Sequence, residues 1–318
     1  MSGPEFKTAF SVSHIDRCTD MRGSPDALVK AFTEPSTRFL PLWNQRCLVQ
    51  KNQVAMISMD GIRDFIDQPE DAIFLGRQDG QFLFAVSIAG DEEPRITADG
   101  EFIGLRQLSS MVAENDAGLL AYARAMVSWQ RHHQYCGLCG HLNIAREGGF
   151  VMECGNCDRR CFPRLDPAII VLVHRHERCL LGRQTSWPEG RFSTIAGFVE
   201  PGESLEDALR REVNEETNIK VGQCTYRASQ PWPFPAALMI GYHAEGLSDD
   251  IRLNDAELVE ARWLSREDIA NGAVILPPRI SVAYRLIEAW FDLGEGRSLS
   301  SLDLPAPALT IRPTNARQ

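Results

Sequence analysis

The part of the chain that decides its fold and chemistry reads Gly197-Phe-Val-Glu-Pro-Gly-Glu203-Ser-Leu-Glu-Asp-Ala-Leu-Arg-Arg211-Glu212-Val-Asn-Glu215-Glu216-Thr-Asn218-Ile219. Within it, Ser204 followed three residues later by Asp207 is typical of the start of a helix. The apolar residues that follow recur at helical spacing. We therefore predict a helix over residues 204–217.

Three glutamates of this helix, Glu212, Glu215 and Glu216, fall on its apolar face when residues are placed about 100° apart. The apolar residues of that face are Leu205, Ala208 and Leu209. The face should turn inward, and burying three carboxylates together is costly unless cations accompany them. Carboxylate oxygens suit Mg²⁺ or Mn²⁺, which also bind phosphate oxygens. We predict a divalent-metal site rather than a solvated charged helix, with Arg211 paired to a glutamate such as Glu203.

Two Cys-x-x-Cys pairs form a second candidate metal site. Fourteen residues separate Cys136 and Cys139 from Cys154 and Cys157. Two such pairs give a four-cysteine tetrahedral site that suits zinc, and four thiolates leave no open position for water. The surrounding segment is too short and polar to bury a useful core, so we expect a structural zinc to hold it together. A redox pair is the alternative, and His141 or Cys161 could replace a ligand.

The composition limits the classes of protein to consider. A chain of 318 residues is long enough for about two domains. Its formal net charge of −10 disfavours general binding to nucleic acid, although bound cations could still admit a phosphate substrate. No apolar run is long enough for a transmembrane helix and no signal-peptide core is present, so we expect a cytoplasmic protein with no membrane partner. Nine cysteines then favour metal ligands and free thiols over disulfides.

The pattern along the chain predicts four segments. They are an N-terminal α/β domain (1–131), a cysteine-rich ribbon (132–163), an α/β catalytic domain (164–293) and a C-terminal tail (294–318). The N-terminal domain shows little chemistry and is expected to serve packing or dimerisation. The tail is rich in Ser and Pro and is expected to be loosely held.

Hydrophobic periodicity predicts the elements of the two larger segments. In the N-terminal domain they are strands at 47–56, 72–75 and 81–87 and a helix at 109–132. In the catalytic domain they are strands at 167–173, from 179, and at 224–229, 236–244 and 261–264, followed by a helix at 280–293.

A further stretch, Ser229-Gln-Pro-Trp-Pro-Phe-Pro235-Ala-Ala237, alternates proline with aromatic residues. Its prolines make a stiff segment that can present the rings of Trp232 and Phe234 as flat faces. A nicotinamide or adenine ring could stack on such faces. A rigid core loop is the alternative interpretation.

The first stretch resembles the signature of the Nudix hydrolases, G-x5-E-x7-R-E-U-x-E-E-x-G-U, where U is a bulky apolar residue. Every fixed position matches except Asn218, which stands where the family has glycine. Asn is the next-best residue for a left-handed helix cap, so this departure touches no ligand. The proline-aromatic stretch resembles the SQPWPFPxS array of the NADH pyrophosphatase subfamily, with Ala237 in place of the final serine. That subfamily also carries a four-cysteine zinc ribbon before its Nudix domain.

The resemblance implies an α/β (α+β) fold: a Nudix α/β/α sandwich preceded by the zinc ribbon and an N-terminal α/β Nudix-like domain. It implies hydrolysis of the pyrophosphate of NADH or NAD⁺, with NADH giving reduced nicotinamide mononucleotide and AMP, and removal of NAD caps from RNA as a further activity. It also implies a homodimer whose site draws on both subunits. One alternative is a Nudix hydrolase of another nucleoside diphosphate such as ADP-ribose, against which the aromatic array argues. The other is a zinc-ribbon RNA-binding or nucleotide-sensing regulator, against which the intact carboxylates argue.

The resemblance also assigns roles to individual residues. Ligands of Mg²⁺ or Mn²⁺ would be Glu212, Glu215, Glu216 and, from outside the signature, Glu257. For Glu257 an ordinary glutamate of a surface helix or loop is the alternative. The general base would be Glu216, with Glu215 as the open alternative, and Arg211 would support catalysis by orienting a glutamate. Residues expected to contact substrate are Phe162, Phe198, Gln230, Trp232, Phe234 and Ala237. For Phe162 and Phe198 a core position is an equal alternative.

Overall fold

The computed structural model describes residues 8–12, 14–97, 99–108, 111–254, 257–294, 296 and 298–305. Contacts within the chain divide it into two units. The N-terminal unit holds Ala9–Leu165 together with Pro231–Ala237, and the C-terminal unit holds Thr8, Asp166–Gln230 and the residues from Leu238 onward. The predicted ribbon therefore falls in the N-terminal unit.

The N-terminal unit contains a six-stranded sheet in the order β3-β2-β1-β5-β4, with β6 paired to β2. Its elements are α1 (Pro25–Thr33), β1 (Arg38–Trp43), β2 (Arg46–Gln50), β3 (Gln53–Val54), α2 (Met59–Ile62), β4 (Ala72–Gln78), β5 (Gln81–Ile88), β6 (Gly100–Gly104), α3 (Leu105–Leu108) and α4 (Glu114–His132). Phe84 and Val86 of β5 pack with Phe32 of α1 in one core cluster. The alternate residues Leu83 and Ala85 are equally buried, so both faces of this sheet are covered.

Two predictions for this unit need correction at their boundaries. The predicted strand 47–56 is a hairpin of β2 and β3, which turns at Lys51 and Asn52. Both residues have positive φ, of 51° and 60°, as a two-residue hairpin turn requires. The pair lacks the glycine that usually marks such a turn, so the sequence reads as one strand. The predicted helix 109–132 begins only at Glu114, and residues 109 and 110 lie outside the described part of the chain.

The ribbon forms a separate three-stranded sheet in the order β7-β8-β9. Its strands are β7 (Asn143–Arg146), β8 (Val151–Cys154) and β9 (Arg160–Cys161). Both pairings are antiparallel. This small sheet orders the backbone between and beyond the two cysteine pairs.

The C-terminal unit is built on a six-stranded sheet in the order β13-β14-β10-β11-β15, with β12 paired to β10. Its elements are β10 (Asp166–Arg175), β11 (Arg178–Gln184), β12 (Ile195–Phe198), α5 (Leu205–Thr217), β13 (Val221–Trp232), β14 (Ala237–Gly246), β15 (Leu258–Ser265), α6 (Arg266–Ala270) and α7 (Val282–Phe291). Each helix and strand predicted for this region is present, and most extend a few residues beyond the predicted bounds.

Strand β10 carries a helix on each of its faces. Val171 lies in one cluster with Leu209 of α5, whereas Leu172 lies in another with Leu286 of α7. Successive side chains of a strand point to opposite faces, so α5 and α7 cover opposite sides of the sheet. This arrangement is the predicted α/β/α sandwich, and it explains why β10 reads as an unbroken apolar run.

Both ends of α5 form as the sequence predicts. The Ser204 hydroxyl accepts a hydrogen bond from the Asp207 backbone N–H at 3.1 Å. At the other end, Asn218 is left-handed, with φ 63° and ψ 10°. Its side-chain amide donates to the carbonyl of Asp250 at 3.2 Å. The residue that departs from the glycine of the signature thus caps the helix in the expected conformation.

The described part of the tail is more ordered than predicted. A short 3₁₀ helix, Leu299–Ser301, buries Leu299 completely in the core beside α7. Asp292 fixes this turn by accepting hydrogen bonds from the Leu299 backbone at 2.7 Å and the Ser298 hydroxyl at 3.0 Å. Residues 306–318 lie outside the described part of the chain. Among the described residues, none of the helices combines the length and apolar character needed to span a bilayer.

Candidate active site

The carboxylate of Glu212 lies against the backbone of strand β12. A Cβ atom added at Gly197 would stand 2.0 Å from Cδ of Glu212 and 2.1 Å from its Oε1. Gly197 pairs with Ile169 of the central strand β10, so this part of β12 cannot retreat without breaking the sheet. The missing side chain at Gly197 therefore creates the space that the Glu212 carboxylate occupies.

Arg211 links the carboxylates of α5 to the loop that precedes the helix. Its Nε and Nη2 donate to the two oxygens of Glu203 at 2.5 and 2.8 Å. Its Nη1 donates to Glu212 at 2.9 Å and to Glu215 at 3.2 Å. Its Nη2 also donates to the carbonyl of Phe198 at 3.0 Å. The predicted pairing of Arg211 with Glu203 is confirmed.

This network moves the pKa values of its members in opposite directions. Hydrogen bonds from Arg211 hold the pKa of the Glu203 carboxyl at about 2. The same Glu203 contact raises the pKa of Arg211. Burial raises the pKa of Glu212, and the charges of Glu215 and Glu257 add to that rise while Arg211 opposes it. The protein thus disfavours the charged form of Glu212, which is the condition under which a bound cation stabilises a carboxylate most.

The glutamates of α5 differ in exposure. Glu216 is buried, with 4% of its surface exposed, and the Glu212 side chain is 15% exposed. The Glu215 side chain is 52% exposed, so the prediction that it faces inward is wrong. Val213 is also buried and lies at about +100° from Glu212 on the helix wheel, which shifts the buried face away from Glu215 at about −60°.

Glu257 lies close enough for its charge to act on Glu212. It is exposed in the loop that leads into β15. The structure therefore places the charges of Glu215, on the same helix, and Glu257, from a loop about forty residues further along, near Glu212.

The four sulfur atoms of Cys136, Cys139, Cys154 and Cys157 all lie within 4.8 Å of one another. Three of the Sγ–Sγ distances are 3.4 Å for Cys139–Cys154, 3.5 Å for Cys139–Cys157 and 3.7 Å for Cys136–Cys157. Thiolates bound to a tetrahedral zinc at about 2.3 Å are about 3.8 Å from one another. The cluster therefore has the composition and dimensions of a four-cysteine zinc site.

Backbone N–H groups in both pairs point at cysteine sulfur. Leu138 donates to Cys136 Sγ and Asn156 donates to Cys154 Sγ, each at 3.4 Å. Backbone hydrogen bonds lower the pKa of the Cys136 thiol. A bond from the backbone of His141 is the largest cause that lowers the pKa of Cys139 to about 6. The backbone thus favours the thiolates of Cys136 and Cys139, the form that binds metal. At Cys157 a backbone hydrogen bond from Arg159 lowers the pKa, but hydrogen bonds with the neighbouring thiols of Cys139 and Cys154 outweigh it and raise the pKa to about 12.

The residues predicted to contact substrate lie in different environments. Phe198 follows Gly197 on β12 and is 59% exposed, and Phe162 follows β9 and is 60% exposed. Neither phenylalanine is a core residue, which removes that alternative. Ala237 is buried at the start of β14.

Gln230 is fully buried, and both atoms of its amide are bound by backbone. Its Nε2 donates to the carbonyl of Ile280 at 2.8 Å, and its Oε1 accepts from the Val282 N–H at 2.7 Å. These bonds fasten the start of α7 to β13. The structure gives Gln230 a structural role, and its contact with substrate stays a prediction.

Trp232 and Phe234 are partly buried, and their rings meet edge to face at 5.3 Å. Both belong to the N-terminal contact unit. The alternation of proline and aromatic residues correctly indicated a packed, ordered segment. The pattern did not indicate which residues, distant in the sequence, this segment packs against.

Comparison with known proteins follows the same division of the chain. The family model of the NUDIX domain matches residues 164–290. The model of the NADH pyrophosphatase-like rudimentary NUDIX domain matches residues 36–129. The chain is 31% identical over 344 aligned positions to the NAD-capped RNA hydrolase NUDT12 of Pongo abelii, an alignment that covers 91% of this chain and 74% of that protein.

This chain is a Nudix hydrolase. It is 39% identical over 225 positions to the NAD-capped RNA hydrolase NudC of Stutzerimonas stutzeri, covering 70% of this chain and 78% of that protein. It is 40% identical over 220 positions to the NAD-capped RNA hydrolase NudC of Deinococcus radiodurans, an alignment that covers 68% of this chain and 76% of that protein. The predicted NADH pyrophosphatase subfamily of the Nudix hydrolases is confirmed by these relatives together with the rudimentary domain.

The steric role of Gly197 was not predicted, although the residue opens the Nudix signature. A helix wheel places side chains around one helix and contains no information about the strand packed against it. The useful signal was a glycine at the end of a short strand, which often marks a close approach to another group.

We predict that Gly197→Ala abolishes most activity while the chain still folds. The new methyl group must displace the Glu212 carboxylate, which ends a flexible side chain and can move more easily than the sheet. Turnover should fall by about a hundredfold, the scale expected for a catalytic group misplaced by about 1 Å. Activity and the free energy of unfolding should be measured on the same preparation.

Gly104→Ala is the matched control, because Gly104 also lies on a strand and a Cβ there meets nothing within 4 Å. It should leave turnover unchanged. Near-normal activity of Gly197→Ala would show that catalysis does not need Glu212 in the position described.

Proposed function

We propose that this Nudix hydrolase cleaves the pyrophosphate bond of NADH with water, giving reduced nicotinamide mononucleotide and AMP, and that it removes NAD caps from RNA. The observation that carries the proposal is the match to NAD-capped RNA hydrolases, which in one case spans 91% of the chain. The rudimentary domain described as NADH pyrophosphatase-like supports the same substrate. On capped RNA, the same cleavage would release nicotinamide mononucleotide and leave a 5′-monophosphate on the RNA.

We propose that Glu212, Glu215 and Glu216 hold Mg²⁺ or Mn²⁺, with Glu257 as a further ligand. The burial of Glu216 and the raised pKa of Glu212 support this assignment, because a nearby cation stabilises a carboxylate more when burial disfavours its charged form. The bound cations would neutralise pyrophosphate oxygens and make a water molecule nucleophilic. Arg211 keeps Glu212 and Glu215 in place through the bonds described above.

Glu216 is the proposed general base, and Glu215 is the alternative. Arg211 already engages one oxygen of Glu215, which makes that oxygen less available to accept a proton from water. Phe198, Trp232 and Phe234 are proposed to contact the rings of the substrate. The exposed face of Phe198 supports this role, and a ring stacked there would gain from its apolar surface.

We predict that NADH is cleaved with a higher specificity constant than ADP-ribose, which has the same bridge but no nicotinamide. Loss of the nicotinamide contact should cost about 1 kcal/mol, the scale of an aromatic pair, or roughly fivefold in kcat/KM. Trp232→Ala should lower the ratio of the NADH specificity constant to the ADP-ribose specificity constant by a larger factor than it lowers the ADP-ribose constant itself. The assay measures AMP released from NADH, and AMP and ribose 5-phosphate released from ADP-ribose. Each substrate is assayed with and without Mg²⁺ or Mn²⁺.

Equal or faster cleavage of ADP-ribose would overturn the dinucleotide assignment and leave the Nudix assignment intact. Absence of any cleavage, with nucleotide still bound, would favour the nucleotide-sensing alternative. The same assay on Glu216→Gln and Glu215→Gln ranks the two candidate bases, since the base is the one whose loss lowers turnover more.

We also propose that the four-cysteine cluster holds one structural zinc ion. The sulfur distances support this proposal, as does a ribbon whose strands are too short to bury a core alone. Elemental analysis of purified protein should give about one zinc per chain. Cys154→Ser should lower zinc content and thermal stability, while folded molecules keep their turnover. Zinc-free protein with unchanged stability would contradict this.

We further propose that the protein acts in the cytoplasm as a homodimer. The resemblance to NADH pyrophosphatases supports the dimer. Nine cysteines that are all unpaired thiols suit a reducing compartment. A monomeric mass in sedimentation would contradict the first part, and recovery outside the cytoplasm on cell fractionation would contradict the second.

A further inference from the structure

The turn that carries Trp232 and Phe234 packs around a single residue near the start of the chain. Phe10 is only 2% exposed. Its ring centroid lies 5.7 Å from that of Trp232 and 5.9 Å from that of Phe234, edge to face in both cases. The three rings therefore form one closed cluster, in which each ring restricts the orientation of the other two.

Arg124 of α4 binds the backbone of the same turn. Its Nη1 donates to the carbonyl of Pro233, and its Nε donates to the carbonyl of Gln45 at 3.3 Å. Its guanidinium carbon lies 5.1 Å from the centre of the Phe234 ring, and that of Arg106 lies 4.6 Å from it. Backbone and side chain of the turn are thus held by the same arginine.

Burial disfavours the charged form of the Arg124 guanidinium. Burial lowers the pKa of Arg124, and the like charge of Arg106 lowers it further. Main-chain carbonyls and an aromatic face compensate a buried guanidinium less than a carboxylate would. Two of the described contacts of Arg124, to the Pro233 carbonyl and to the Phe234 ring, are made to the turn.

We propose that Phe10 and Arg124 are positioning residues for substrate choice, which hold the turn 231–235 in the conformation that receives a substrate ring. The proposal rests on the proposed function, because that function assigns Trp232 and Phe234 to the dinucleotide. Ordering the turn before substrate arrives removes an entropic cost of binding.

The test uses full-length Arg124→Gln and Arg124→Lys. In Arg124→Gln the ratio of kcat/KM for NADH to that for ADP-ribose should fall about threefold to tenfold, the range expected for a lost aromatic contact. The loss should be in KM for NADH more than in kcat, because the carboxylates are untouched. Arg124→Lys keeps a donor for the Pro233 carbonyl and should recover part of the ratio. Phe10→Leu, which keeps apolar volume, should lower the ratio in the same direction.

Arg22→Gln is the matched control. Arg22 lies in the same unit, its pKa is also lowered by burial, it donates to the carbonyl of Arg17 at 3.3 Å, and its guanidinium lies 3.5 Å from the centre of the Phe150 ring. It has no contact with the turn among those described. Its loss should cost similar stability and leave the substrate ratio unchanged.

A second readout does not depend on activity. Acrylamide quenching of Trp232 fluorescence, obtained by subtracting the same variant with Trp232→Phe, should increase in Arg124→Gln and not in Arg22→Gln. Unchanged quenching would overturn the positioning role outright. A wild-type preference for NADH that persists in Arg124→Gln would overturn its use in substrate choice. Absence of any wild-type preference would instead overturn the proposed function and, with it, this use of the turn.

Discussion

The hydrogen bonds of Arg211 are the interaction on which the active site depends. One guanidinium lies among three carboxylates, of Glu203, Glu212 and Glu215, which would otherwise repel one another. The two-point bond to Glu203 fixes the loop before the helix as well as the arginine itself. Because the same arginine also binds the Phe198 carbonyl, it joins β12 to α5. Glu212 is thereby held between a cation and a strand that has no side chain at Gly197.

The sandwich supplies the frame for this network. Alternate residues of β10 pack against α5 on one face and α7 on the other, so β12, which pairs with β10, is fixed relative to α5. Because β12 and α5 are fixed, the carboxylate of Glu212 keeps its position against β12. The ribbon is a small segment with little core, and it brings four thiols within 4.8 Å of one another. The proposed zinc would bind at this cluster.

Local sequence patterns predicted the elements of the C-terminal unit well. Hydrophobic periodicity, helix caps and runs of β-branched residues all depend on residues close together in the sequence. The Ser204 and Asn218 caps and the cysteine cluster are examples. The exposure of Glu215 was missed because the buried face was judged from Leu205, Ala208 and Leu209. Val213, which is also buried, shifts that face away from Glu215. The hairpin at Lys51 was missed for lack of a glycine. The packing of Phe10 and Arg124 on the turn 231–235 joins residues more than a hundred positions apart, and no local pattern records it.

Mn²⁺ titration followed by electron paramagnetic resonance examines the divalent-cation site proposed at the carboxylates of α5. Wild-type protein with its zinc in place should remove Mn²⁺ from the free aquo form. Glu212→Gln and Glu216→Gln should weaken that binding by about tenfold or more, as expected when a charged ligand is lost. Glu206→Gln, which removes an exposed charge from the same helix, should not. Equal Mn²⁺ binding by all four proteins would rule out a cation site at these carboxylates.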